Sequence, residues 1–297
     1  MFKVGYVGVI GFPNSGKSTL VNALIGEKVS IVSSKPQTTR KRIKGIATGM
    51  NYQMIFLDAP GIVKAQSGLN QFIQQEYESV IEESDILVAT LNIDEKDPDK
   101  LKSIVELCVA SNKPWIPVIT KKDISAKKHR VQILKDQLAK YNPIAISSDK
   151  NPEDAKQILL EKLIEMLPAA ESPLYFDDIY TTQNLREMCE EIVREKCFHF
   201  LHQEIPFGLA VKVNKFDESN PKLIKIYADI VLSKPNHQSI VIGEKASNLK
   251  RIGQSSRIEM ENLLGTKVFL DLHVKVRKNW TKQSNWMKEF GYEIKTL

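Results

Sequence analysis

The sequence predicts an α/β domain, with a mostly parallel sheet and helices on both faces, followed by a smaller α+β domain. Three observations carry this. The chain has 297 residues, room for about two domains that each bury a core. Short apolar runs alternate with amphipathic stretches as far as residue 167, the pattern of strands joined by crossover helices. At Pro168-Ala169-Ala170-Glu171-Ser172-Pro173 the alternation stops in a turn-rich stretch, and a different order of elements begins.

In chain order, strands are expected at Val4 to Ile10, Ile43 to Thr48, Tyr52 to Leu57, Asp85 to Ile93, Trp115 to Ile119 and Pro143 to Ile146. Helical periodicity marks Ser18 to Ile25, closed by Gly26, then Leu69 to Ile81, Pro98 to Ala110, and Ala155 to Leu167, stopped by Pro168. This gives a first domain at residues 1–168 and a linker at 169–181. From 182 to 297 the expected order is helix, strand, strand, helix, helix, strand. Thr182 is placed as N-cap of a helix whose apolar positions run from Leu185 to Phe200. Strands come next at Leu209 to Phe216 and Leu223 to Leu232, then two short helical stretches around Gly253, and a last strand at Val268 to Val276.

Hydrophobic content of 42% and charged content of 26% describe a globular chain, not a disordered or fibrous one. No apolar run approaches the ~20 residues of a membrane span. The start lacks a signal-peptide pattern, so a cytoplasmic protein is expected. Cys108, Cys189 and Cys197 are an odd, scattered set that fits neither disulfides nor zinc, and are expected as reduced core residues. The net charge of +6 is unevenly spread. Residues 1–170 hold 23 basic and 19 acidic side chains, residues 171–233 hold 7 and 11, and residues 234–282 hold 10 and 4. The positive charge is thus focused late in the chain, as on a surface that binds phosphates.

Gly11-Phe12-Pro13-Asn14-Ser15-Gly16-Lys17-Ser18, with Thr19 next, matches G-x-x-x-x-G-K-[ST] between a strand and a helix. Glycines let backbone N–H groups ring the phosphates, and the helix adds its positive end. Lys17 would neutralise the β- and γ-phosphates and Ser18 would ligate Mg²⁺. Asp58-Ala59-Pro60-Gly61 ends the strand Ile55-Phe56-Leu57; Asp58 can hold Mg²⁺ through water, and the Gly61 N–H can meet the γ-phosphate. Thr120-Lys121-Lys122-Asp123 ends another strand, where a carboxylate accepts from guanine N1–H and the 2-amino group, which adenine does not offer. GTP is therefore favoured over ATP.

Here the chain resembles the translation-factor-related GTPases, whose base-reading motif is Asn-Lys-x-Asp. Thr120 stands for Asn, and weaker nucleotide affinity is expected. Ile146-Ser147-Ser148 resembles the family's last base loop. Within Ser33-Ser34-Lys35-Pro36-Gln37-Thr38-Thr39-Arg40, a threonine would bind Mg²⁺ only beside a γ-phosphate, ordering a switch loop. Thr39 is favoured over Thr38, because in related GTPases the ligand precedes an arginine. Ile62 follows Gly61 where Ras-like enzymes carry a water-orienting glutamine, so slow basal turnover is expected. Asn14 suggests K⁺, which similar GTPases with Asn in this loop recruit.

The late basic segment resembles a KH module of the helix-first type, which clamps about four nucleotides of single-stranded RNA on a GXXG loop. The matching stretch is Ile240 to Gly253, with Gly243-Glu244-Lys245-Ala246 as the loop and Ala246 where a second Gly would stand. Lys245, Lys250 and Arg251 are the expected cations. Lys275, Arg277 and Lys278 lie beside Trp280, which can stack on a base or pack under the final helix, where Trp286 is expected.

Together these features resemble the Era family of bacterial GTPases, TrmE-Era-EngA-type enzymes with a C-terminal KH domain, over essentially the whole chain. The resemblance implies GTP hydrolysis, 16S rRNA and the small ribosomal subunit as partners, a role in subunit assembly, peripheral contact with the inner membrane, and a monomer. Two other readings stay open. One is a nucleotide-switched docking protein with little turnover. The other is a GTPase whose C-terminal domain meets a protein or membrane surface.

Overall fold

The computed structural model describes residues 1–33, 35–63, 67–124 and 128–295; Ser34 of the switch segment lies outside the described residues. Two compact units emerge, Met1–Val63 with Ile73–Thr182, and Lys64–Phe72 with Gln183–Leu297.

The first unit is built on strands β1 (Phe2–Ile10), β2 (Ile43–Gly49), β3 (Tyr52–Asp58), β4 (Ile86–Asn92), β5 (Trp115–Thr120) and β6 (Ile144–Ala145), in the order β2-β3-β1-β4-β5-β6. All neighbours are parallel except β2, which is antiparallel to β3. Side chains alternate between the faces with period 2. Val7, Val9, Met54, Phe56, Val88 and Val118 face α1 (Lys17–Ile25) and α5 (Pro152–Met166) through Leu20, Leu24, Leu159 and Leu163. Ile10, Ile55, Leu57, Leu87, Ala89 and Leu91 join the opposite cluster, with Tyr77 and Val80 of α2 (Gly68–Glu83) and Ile104 and Cys108 of α3 (Pro98–Ala110). The helix α4 (Lys128–Gln137) is absent from the sequence expectation. Its stretch is mostly polar and offers the core only Leu134 and part of Val131.

The 169–181 stretch is not a loose tether. Ala169–Ala170, as β7, pairs antiparallel with Phe2 and Lys3 of β1. Gln53, fully buried, accepts from the Leu174 and Tyr175 N–H groups and donates to the Tyr175 carbonyl. Further on, the Ile46 N–H donates to the Tyr180 carbonyl, Thr181 Oγ1 donates to the Lys44 carbonyl, and Thr181 bridges Gly45.

In the second unit α6 (Leu185–Phe200) starts from Asn184, not Thr182. Asn184 caps the Glu187 N–H and Glu187 reaches back, a reciprocal pair that needs a carboxylate three residues on; from Thr182 that position is Leu185. Then come β8 (Leu209–Asp217), β9 (Leu223–Leu232), α7 (Gln238–Ile242), α8 (Ser247–Leu264), β10 (Lys267–Val276) and α9 (Ser284–Glu289). The sheet order is β10-β9-β8, with β9 and β10 parallel and β8 antiparallel. The two stretches expected around Gly253 form one helix, because Ile252, Ser256 and Met260 make a continuous buried stripe. All three cysteines are buried free thiols.

Candidate nucleotide site and nucleic-acid interface

The first site lies at the carboxyl ends of β1, β3, β4 and β5, where open α/β sheets bind ligands. Register sets Val9 of β1 beside Asp58 of β3, and Asn92 of β4 beside Thr120 of β5. The loop after β1 closes on Gly16, whose φ of 90° is left-handed and suits a residue without Cβ as the cap of α1. Gly61 backs onto the same loop so closely that a Cβ there would lie 2.6 Å from Pro13.

Lys17 is buried, and its Nζ donates to the Gly11 and Phe12 carbonyls at 3.1 and 2.9 Å. Burial holds its ammonium down to about 8, against an upward pull from Asp58. Ser18 Oγ donates to Asp58 Oδ2 at 2.6 Å and lies 3.0 Å from Thr39 Oγ1. Thr38 lines the same cleft, with its hydroxyl donating to the Lys35 carbonyl. The fully buried Asp58 carboxyl is pushed up by burial, while the Ser18 hydroxyl and the Lys17 ammonium favour its charged form. Ser30 lies near that carboxylate without completing a hydrogen bond to it, and Asp58 Oδ1 is buried with no partner among the described residues.

Three hard oxygen donors, one of them an unsatisfied carboxylate atom, fit Mg²⁺. Asn14, Lys17, Ser18, Thr19, Thr39 and Gly61 line one cleft. Ile62 turns to the apolar cluster that also takes Phe12.

The base-loop residues converge next to it. Thr120 Oγ1 donates to the Ser15 carbonyl at 2.8 Å, so this hydroxyl ties the β5 end to the phosphate loop. Ser147 Oγ donates to Asp123 Oδ1 at 2.5 Å, the Lys122 N–H donates to the Ile146 carbonyl, and Lys121 Nζ lies 3.9 Å from Asp94. Ser148 Oγ is buried without a partner among the described residues. Two supporting residues escaped the sequence reading. Thr90 Oγ1 lies 2.5 Å from Ser15 Oγ and donates to the Ile10 carbonyl, and Asn92 Nδ2 donates to the Asn14 carbonyl. Their only sequence signal is position, at the end of a strand neighbouring β1.

In the second unit the candidate RNA-binding residues begin at the turn between α7 and α8, where Glu244 and Lys245 are both exposed. Gly243, Lys245 and Ala246 have φ of 74°, 48° and 61°, so a loop of left-handed residues presents the α8 N-terminus. Lys245, Lys250, Arg251 and Lys278 are exposed. Arg251 sits 4.7 Å over the Phe200 ring, Arg277 sits 4.7 Å over Trp286, and Lys275 pairs with Asp229 at 2.7 Å. Trp280 corrects the expectation of a base-stacking residue. It is fully buried, donates from Nε1 to the Gly208 carbonyl, and packs between Phe290 and Tyr292. Trp286 is half-buried and stacks on Phe290.

Residues 6–121 match the family described as 50S ribosome-binding GTPase, and residues 204–281 match the KH domain. GTPase Era of Geotalea uraniireducens is 40% identical over 298 residues, which cover 98% of either chain. The chain belongs to the Era family of GTPases. Era of Geobacter metallireducens is 38% identical with the same coverage. Among solved structures, an Aquifex aeolicus Era variant bound to GDP·AlF4⁻ superposes with a TM-score of 0.90, at 34% identity and covering 99% of this chain and 100% of that one. Era in complex with MgGDPNP and nucleotides 1506–1542 of 16S ribosomal RNA gives the same score at 35% identity, with the same coverage. As an Era GTPase the chain pairs a GTP-hydrolysing domain with a KH domain.

Proposed function

We propose that this Era-family chain binds 16S rRNA under the control of GTP and acts in assembly of the small ribosomal subunit. The observation that carries this is Thr39: a switch residue whose hydroxyl meets Ser18, itself bonded to Asp58, senses the nucleotide, in a chain whose excess positive charge falls in residues 234–282, within the KH domain. The rRNA complex of a relative at 35% identity supports the choice of RNA.

Lys17 and the loop's backbone N–H groups would hold the β- and γ-phosphates. Ser18, Thr39 and, through water, Asp58 would hold Mg²⁺, which supplies neutralisation of phosphate charge. Asp123 would select guanine, with Ser147 fixing its carboxylate, and Ser148 would close the base side. Water attacks the γ-phosphorus, the bond to the β-phosphate oxygen breaks, and GDP and phosphate leave. Ile62 cannot orient that water, so basal turnover is slow. K⁺ beside Asn14 would supply positive charge in the transition state, and equal rates in KCl and NaCl would remove it from the scheme.

GTP orders the switch from Lys35 to Arg40 and favours RNA engagement, and hydrolysis releases it. Lys245, Lys250, Arg251, Lys275, Arg277 and Lys278 would meet the RNA backbone, with Gly243 and Ala246 allowing close approach. Contact with the inner membrane would be peripheral, since among the described residues no helix is long and apolar enough to cross one. The chain would act as a monomer. The test is affinity for an rRNA fragment with a non-hydrolysable GTP analogue and with GDP. Tighter binding with the analogue, lost in Thr39→Ala, is expected; equal affinities would end this reading.

A further inference from the structure

We infer that the segment from Glu171 to Tyr180 is a docking surface for a basic polypeptide, and that on a particle of RNA and protein its occupant is a basic protein of the small subunit. This rests on the small subunit being the partner, as proposed above.

Phe176 is 80% exposed, Leu174 56% and Tyr180 36%, three large apolar side chains within seven residues. Single exposed apolar residues are ordinary, but a run of them on an ordered backbone marks a binding surface. The backbone here is fixed at both ends. Leu174 and Tyr175 are gripped by the buried Gln53 side chain, the Ile179 N–H donates to the Phe176 carbonyl, and the Tyr180 carbonyl accepts from Ile46. Phe176 is therefore displayed by the fold and does not gain its exposure from a slack tether.

Charge chooses the partner. No Lys or Arg occurs between Lys162 and Arg186. Glu171, Asp177 and Asp178 are exposed around the apolar residues. Lys44, whose carbonyl holds Thr181, turns its own ammonium over the Tyr6 ring at 5.5 Å. Such a surface repels RNA phosphates and anionic lipid alike. It complements Lys and Arg side chains, which the carboxylates bind by charge-assisted hydrogen bonds and the Phe176 and Tyr180 faces by cation–π contact. The chain thus separates two partners by sign, with phosphate on the residue 234–282 surface and cationic protein here.

The test uses the full chain, a GTP analogue and purified small subunits. Phe176→Ala combined with Leu174→Ala, both at exposed positions, is expected to weaken subunit binding about tenfold, with unchanged melting temperature and unchanged affinity for a naked rRNA fragment. A photo-crosslinking residue at position 176 is expected to give an adduct with a basic protein that survives ribonuclease. Unchanged subunit affinity in the double variant, or an adduct removed by ribonuclease, would overturn the surface. Loss of rRNA-fragment binding by the unaltered chain would instead strike at the function proposed above, because the fragment carries no protein.

Discussion

Thr120 and Thr90 hold the phosphate loop from two neighbouring strands. Thr120 grips the Ser15 carbonyl and Thr90 faces the Ser15 hydroxyl, so both oxygens of one loop residue are fixed. Thr90→Val leaves a buried hydroxyl unpaired, at a cost of about 1–3 kcal/mol. GDP release measured by stopped flow should become about tenfold faster, and Thr90→Ser should restore it. Lys17, Ser18 and Asp58 were legible in the sequence because their chemistry is local to short motifs. Thr90 was not, since it acts across 75 residues and carries no motif of its own. Trp280 misled for a related reason. Cations beside an aromatic suggest an open surface, but Phe290 and Tyr292 bury the ring, and they come after it in the chain without periodicity. Trp280→Ala should cost about 3–5 kcal/mol in urea unfolding. Trp280→Phe should leave RNA affinity unchanged.

Elements with a strong apolar rhythm declared themselves. Helix α3 and strand β9 fall on the expected bounds, Pro98–Ala110 and Leu223–Leu232. Helix α4, mostly polar, did not. Gly253 seemed to split α8, yet a glycine in a helix costs only about 1 kcal/mol, and a buried stripe of three residues outweighs it. The turn ahead of α8 has the opposite problem. Ala246 takes a left-handed conformation that costs a residue with Cβ about 1–2 kcal/mol. Ala246→Gly gives back part of this in unfolded-chain entropy, so a net stabilisation of about 0.5–1 kcal/mol is expected. Calorimetry should register it, and RNA titration should show tighter binding as phosphates approach a bare backbone.

Across the whole molecule, charge and thiols act at a distance from any motif. RNA affinity should fall steeply between 50 and 200 mM salt, by about 300-fold if six phosphates of a single strand are met. Burial pushes Cys108, Cys189 and Cys197 up to about 12. Their unfolded values lie near 9.0, so between those pH values the unfolded chain has shed thiol protons that the native chain keeps. Stability therefore falls as pH rises through that window. Urea midpoints should record a shallower alkaline decline in Cys197→Ala, and native thiols should resist alkylation at pH 8. The turn-rich composition near residue 170 correctly signalled the end of the α/β alternation. It gave no hint that Gln53 takes its hydrogen-bond partners from Leu174 and Tyr175, far along the chain. A gene fragment cut after residue 168 would strip the buried Gln53 carboxamide of its backbone partners and bare the outer edge of β2. One ending at Thr182 keeps both, so the smallest autonomous GTPase piece is the longer one, and the shorter should precipitate first on heating.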